Sequence, residues 1–452
     1  MLKKIYFKAA FISLISFLCL PVAMAGIAIE HWTQPSGAQV FLVQSHAIPM
    51  VDVQLDFDAG SRRDPTLQAG LASVTASLSG MGVLANPVRD EAALDENALG
   101  EAWADLGASF GGHASSDRMS FALRSLTYPD LLAKAVQLAA RQLTEPAFPA
   151  DIWQRERESM IAAIKEANTR PATQAQRAFD QTVFGDHPYG YDTTEASVKR
   201  IEVSHMAALY RQSIQPCRAI VSLVGALTRA QADAVVTKLL ARIAVPRNAA
   251  ASACPALPAV AEVLPLTQAS DQRIAFESAQ AHVLLGQPGY KRKDPDFFAM
   301  LVGNYILGGG GFVSRLTHEV REKRGLSYSV YSYFAPGAHA GAFTIGLQTR
   351  PDQADQALQV SREVLARFVA DGPTEAELQA AKDNLIGGFA LRLDSNRKLL
   401  DNVANIAWNK LPLNYLDTWT QRVQKITVAD IRSAFQRKLQ PQKMVTVVLG
   451  GA

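Results

Sequence analysis

The sequence predicts an α+β fold built twice, each copy a largely antiparallel sheet with helices packed on one face. Three observations carry this. The segment Ile201 to Gly225 (IEVSHMAALYRQSIQPCRAIVSLVG) returns as Ile426 to Gly450 (ITVADIRSAFQRKLQPQKMVTVVLG), with Ile, Val, Gln-Pro and Gly coincident and Tyr210 answered by Phe435. Short runs of period-two alternation are interleaved with longer runs of helical period. The order strand, helix, hairpin, helices, strand recurs in both halves, which suits helices laid on an antiparallel sheet.

The individual elements follow from local pattern. Val51 to Phe57 (VDVQLDF) alternates apolar and polar residues as a half-buried strand does, and Met119 to Leu126 does so less cleanly. Leu131, Leu132, Ala135, Val136 and Ala139 recur at helical spacing, as do Ala354, Ala357, Leu358, Val364, Leu365 and Phe368, with Asp352 placed to cap the second run. Arg62-Arg63-Asp64-Pro65 is echoed by Arg292-Lys293-Asp294-Pro295. A period above 200 residues signals duplication of a whole domain, since solenoid repeats run 20–50 residues. Pro246 to Gln268, rich in Ala and Pro, suits a connector between the copies. The expected domains are residues 26–245 and 269–452, joined by 246–268.

Residues 1–25 read as an export leader: a basic start (Lys3, Lys4, Lys8), an apolar stretch Ala9 to Leu20, and a small-residue exit at Ala23-Met24-Ala25. The apolar run, broken by Ser13 and Ser16, is short for a membrane span, so stable membrane insertion is not expected. A Gram-negative source would make the destination periplasmic. The formal charge of +3 resides in those three lysines, leaving a neutral mature chain and no charge argument for nucleic acid. Once the leader and Cys19 are removed, Cys217 and Cys254 remain. They lack metal-site spacing; a single disulfide and a pair of free thiols both stay open.

Gly107-Ala108-Ser109-Phe110-Gly111 fits the G-x-S-x-G nucleophile elbow, but helix precedes it and strand follows, the reverse of that motif's order. Ser109 therefore reads as a strand residue. No two of the eight histidines lie close enough for a helical zinc pair. The run Gly308-Gly309-Gly310-Gly311 lacks the Lys-Ser/Thr of a phosphate loop. Arg321 lies seven residues before Tyr328 at a helix-to-strand junction, and by spacing alone it belongs to the charged helix end formed with Glu319, Glu322, Lys323 and Arg324.

Taken together, Asp58 to Arg62, Gly70-Leu71-Ala72, Gln154 to Arg157, His187 to Gly190 and Leu307 to Tyr328 give the chain a strong resemblance to insulinase/pitrilysin-type peptidases, over nearly its whole mature length. The resemblance implies two homologous halves forming one side of a clam-shaped chamber. Active members carry H-x-x-E-H after Gly-Leu-Ala; here that stretch reads Ser73-Val74-Thr75-Ala76-Ser77. Both histidine positions are serine, the catalytic Glu position is Ala76, and Ala163 stands where the distal zinc ligand belongs, with Glu166 nearby. No metal is expected in this chain. Arg321 and Tyr328 match the family's pair that holds substrate beside zinc, and Gly308 to Gly311 match its glycine-rich loop, for which both substrate handling and a structural role stay open. The resemblance therefore implies a non-catalytic subunit whose Arg321 and Tyr328 serve, in trans, a homologous H-x-x-E-H subunit that holds the zinc. Its substrates would be peptides or unfolded segments. The second implied role is a scaffold or assembly protein that kept the fold without proteolysis.

Overall fold

The computed structural model describes residues 26–243 and 254–451. The expected leader and residues 246–253 of the expected connector lie outside them. The first half contributes β1 (Glu30–Thr33), β2 (Gln39–Gln44), β3 (Met50–Phe57), β4 (Ser109–Ala114), β5 (Met119–Leu126) and β6 (Ile220–Gly225), in the sheet order β1-β2-β6-β3-β5-β4. The second half contributes β7 (Ser270–Ile274), β8 (Ala281–Pro288), β9 (Val330–Phe334), β10 (Ala342–Thr349) and β11 (Val445–Leu449), ordered β7-β11-β8-β10-β9. Apart from β1, the two orders superimpose strand for strand. The pairs β2/β6 and β7/β11 are parallel and the remaining pairs antiparallel.

The sequence repeat is a structural repeat. Helix Val203–Ser213, the 3-10 turn Pro216–Arg218 and β6 are matched by helix Val428–Lys438, the turn Pro441–Lys443 and β11. Each half's own helices cover one face of its sheet. In the first half, Leu71, Val74, Val136, Met206 and Val236 pack on Val53, Leu55, Phe121 and Leu223. Helix Ala354–Asp371 begins after a 3-10 turn and a Gln353 N-cap without a side-chain bond, while Asp352 pairs with Arg350. The expected Asp352 cap is thus corrected, because the neighbouring guanidinium takes the carboxylate.

The halves exchange one helix each. Helix Pro171–Phe184 of the first lies on β8 and β11 of the second, and helix Asn396–Trp408 of the second lies on β2, β3 and β6 of the first. This changes the reading of β3. Its alternation predicts a half-buried strand, yet every residue from Val51 to Phe57 is buried. The polar face is roofed by Asn396–Trp408, and its charges are satisfied inside: Asp52 pairs with Arg124 at 2.7 Å, and Asp56 accepts from Arg118 at 3.0 Å, Ser120 at 2.5 Å and Gln54 at 2.9 Å. Burial nonetheless raises the Asp56 carboxyl above its ordinary value, and Arg118, Ser120 and Gln54 offset that cost only in part.

Cys217 and Cys254 form a disulfide with a Cα–Cα distance of 5.7 Å, settling the alternative the sequence left open. The bond ties the start of the interdomain stretch back to the first half. It closes a loop of 37 residues, for which the chain-entropy treatment gives a stabilisation of about 2–4 kcal/mol. Cys254→Ser, or reduction of the native protein, is expected to lower the denaturant midpoint accordingly. An unchanged midpoint after complete reduction would show that the bridge constrains nothing.

Candidate functional site

Arg321 and the glycine run lie on two irregular helical turns, and Tyr328 lies in the non-helical stretch just before β9. Arg321 sits in the π-helical turn Thr317–Glu322, and Gly308 and Gly309 end the π-helical turn Tyr305–Gly309. Single π-helical turns are rare but occur frequently at functional sites. The first is nailed down by Leu316 and Val320, both fully buried, and by Arg315, whose guanidinium donates to both Glu377 oxygens at 2.6 Å and to the Gly372 carbonyl at 3.1 Å. Gly308 presses against β9, where any Cβ would lie 2.5 Å from the Ser332 nitrogen. Gly311, at φ +62°, then turns the chain outward and presents Phe312.

The charged helix end sorts itself in a way spacing does not show. Glu319 takes Lys323 at 2.7 Å and Arg324 at 2.8 Å, and these two hydrogen-bonded cations hold its carboxyl down to about 2. Glu322 takes His318 at 2.9 Å. Arg321 has no carboxylate partner among the described residues. Its guanidinium lies 4.7 Å from the Phe312 ring centroid and 5.0 Å from that of Tyr328. Stacking on two aromatic faces fixes a guanidinium plane while leaving its N–H donors unspent. Tyr328 is 83% exposed, and its flank is anchored by Ser327, whose hydroxyl donates to the Ser329 and Gln348 carbonyls at 2.6 and 2.7 Å. The result is a half-buried arginine beside an exposed phenol, each with donors unclaimed among the described residues and free for a ligand. Phe312 and Arg315 fall inside the Leu307 to Tyr328 stretch that carries the resemblance, but the sequence assigns neither a role, because no local spacing shows the aromatic clasp or the Glu377 fork.

The degenerate motif occupies helix Leu71–Leu78. Ser73 and Ser77 are exposed one turn apart, and Ala76 is buried. Asp64 accepts from the Gly70 and Ala72 backbone N–H groups at 2.9 and 3.0 Å, closing the helix start. Ala163 is exposed on helix Ala150–Ala167, where Glu166 pairs with Arg170 at 2.5 Å. Two hydroxyls and two methyl groups do not make a zinc donor set, and no three His, Cys, Asp or Glu side chains converge among the described residues. Ser109 opens β4 after helix Glu96–Asp105, so the chain does not form a nucleophile elbow there.

Residues 39–197 match the family model for insulinase (peptidase family M16), and residues 200–385 match that for the peptidase M16 inactive domain. The crystal structure of a peptidase M16 inactive domain from Pseudomonas fluorescens superposes with a TM-score of 0.86 at 33% identity, covering 94% of this chain and 98% of that one. The chain belongs to peptidase family M16. Its fold is that of the family's inactive type. Other M16-related sequences include a non-peptidase homolog, YmxG, of Helicobacter pylori, 26% identical over 405 residues and 87% of each chain, and an uncharacterized zinc protease of Streptomyces coelicolor, 27% identical over 321 residues, 70% of this chain and 69% of that one.

The Arg315–Glu377 fork that carries the M16 chain's arginine turn has a pH signature. Burial alone would raise the Glu377 carboxyl, but the Arg315 fork and the Thr374 N–H and hydroxyl hold it down to about 2. A carboxyl lowered in the folded state contributes stability above its unfolded value of about 4.3 and loses it as pH falls toward 2. Wild type is therefore expected to exceed Glu377→Gln in stability near neutral pH, with the gap closing between about pH 4.5 and 2. Because the pair is partly exposed, the gap should shrink in high salt. Denaturant midpoints across that range measure it; a gap independent of pH would remove the ion pair as its cause.

Proposed function

We propose that this chain is the non-catalytic, substrate-holding subunit of an exported heteromeric zinc peptidase that cleaves peptides or unfolded segments. The observation that carries the reading is Arg321, half-buried and without a carboxylate partner among the described residues, clasped between Phe312 and the exposed Tyr328, in a chain whose own Ser73, Ala76, Ser77 and Ala163 supply neither ligand nor base. A peptide carbonyl placed beside a metal in a partner needs hydrogen-bond donors, and this pair offers them without competing protein acceptors. The leader pattern and the Cys217–Cys254 disulfide support export to an oxidising compartment. No helix among the described residues is long and apolar enough to cross a membrane.

Affinity capture of the tagged mature chain from its source tests the reading. The expected partner is a homologous chain containing H-x-x-E-H, zinc should travel with that partner, and the pair should cleave an unstructured peptide that neither chain cleaves alone. A partner lacking the motif, or a complex with no peptidase activity, would transfer the assignment to the scaffold reading.

A further inference from the structure

Helix Asn396–Trp408 ends in an unusual manner. The Lys410 N–H donates to the Ala407 carbonyl at 3.1 Å and the Leu411 N–H to the Ile406 carbonyl at 2.9 Å, the bonding of a Schellman stop. The residue after the cap in that motif must be left-handed, and glycine is the residue that takes this conformation without cost. Here it is Lys410, at φ +49°. This left-handed lysine lines a cleft of about 340 Å³ between the two halves.

The cleft gathers four cationic side chains from three separate chain segments, Arg218, Lys291 with Lys293, and Lys410, with the Trp408 ring as its apolar wall. Asp58, its only lining carboxylate among the described residues, is already neutralised by Arg62 at 2.6 Å and Arg63 at 2.6 Å. Lys291 pairs with Glu262 at 2.6 Å. Lys293 and Lys410 make no side-chain hydrogen bond or ion pair among the described residues. An otherwise neutral mature chain thus concentrates unpaired ammonium groups around one aromatic-walled cavity.

We propose that this interdomain cleft binds a multiply charged phosphate ester, its phosphate oxygens on Lys293 and Lys410 and its organic part against Trp408. Ammonium groups are point charges with freely turning donors, which suits a tetrahedral, multiply charged anion; a lone carboxylate is better matched by a planar guanidinium fork. The space exceeds what one carboxylate would fill. The site is distinct from Arg321 and Tyr328 and stands whether or not a peptidase partner exists.

The test titrates inorganic pyrophosphate into the full mature chain at low salt, read by calorimetry and by tryptophan fluorescence. Saturable one-to-one binding is expected, with the fluorescence change lost in Trp408→Phe. Lys293→Ala and Lys410→Gly should each weaken binding at least about tenfold, while Lys238→Ala, on an exposed helix elsewhere, should leave it unchanged. Lys410→Gly keeps the proposal separable from misfolding, because glycine relieves the left-handed strain and its Tm should equal or exceed wild type. Cosedimentation with phosphatidylglycerol vesicles but not phosphatidylcholine ones would assign the phosphate to a lipid headgroup; pyrophosphate binding without cosedimentation would assign it to a soluble ester. Binding to neither, equal binding by Lys410→Gly and wild type, or binding of malonate as tight as that of pyrophosphate would overturn the proposal.

Discussion

Tyr328→Phe and Arg321→Ala are each expected to lower the peptidase rate of the reconstituted complex about 10²–10³-fold, the cost typical of removing one donor from a developing oxyanion. The phenol is 83% exposed and its hydroxyl makes no hydrogen bond among the described residues, so Tyr328→Phe removes a donor without touching the fold. Arg321→Ala also empties the space between the Phe312 and Tyr328 rings, and some loss of loop order should accompany it. Arg321→Lys separates the two effects: it keeps the charge but forfeits the planar stack, and should fall between wild type and alanine. Rate and size-exclusion profile are to be measured on the same preparations. Intact assembly with a collapsed rate is the expected result. Full activity in both variants would leave the pair without a role in turnover.

How far the sequence discloses this molecule depends on the range of the forces involved. The duplication, β5 and the two long helices Pro129–Thr144 and Ala354–Asp371 are legible because apolar period and repeat are local properties of the chain. The degenerate motif is legible for the same reason, five consecutive residues read against a known pattern. The exchange of helices is not. Pro171–Phe184 carries Ala175, Phe179 and Val183 at helical spacing, but nothing in that spacing says whose sheet receives them. Asp52, Gln54 and Asp56 read as a solvent face, and only the arrival of a helix more than 300 residues later buries them. At the site, Arg321 and Tyr328 could be paired by resemblance, whereas their geometry depends on competition. Glu319 and Glu322 have enough cationic neighbours to leave Arg321 to the aromatic rings, and no one-dimensional charge count decides that outcome.

Phe179→Ala is expected to destabilise the protein by about 3–5 kcal/mol, the usual cost of emptying a fully buried phenylalanine site. The ring is 0% exposed and packs with Leu284, Val445, Val447 and Leu449, all from the other half. Its place is cut into β8: a Cβ on Gly286 would come within 2.7 Å of the Phe179 Cζ and 1.9 Å of the Phe343 carbonyl oxygen, so ring and glycine fit as a matched pair. The surrounding strands are held by ladders on both sides and have little freedom to collapse into the void. The helix belongs covalently to one half and energetically to the other, so the loss should also weaken the coupling that makes the two unfold together. The reciprocal change, Leu400→Ala in helix Asn396–Trp408, removes a side chain that is 1% exposed from the opposite exchange and should cost about 2–5 kcal/mol. Denaturation followed both by far-ultraviolet circular dichroism and by tryptophan fluorescence reads the two effects. Four of the five tryptophans are Trp32, Trp103 and Trp153 in the first half and Trp419 in the second, so uncoupling should make the fluorescence and circular dichroism transitions separate. A single coincident transition at the wild-type midpoint in Phe179→Ala would mean that the exchanged helix rides on the second sheet without holding it.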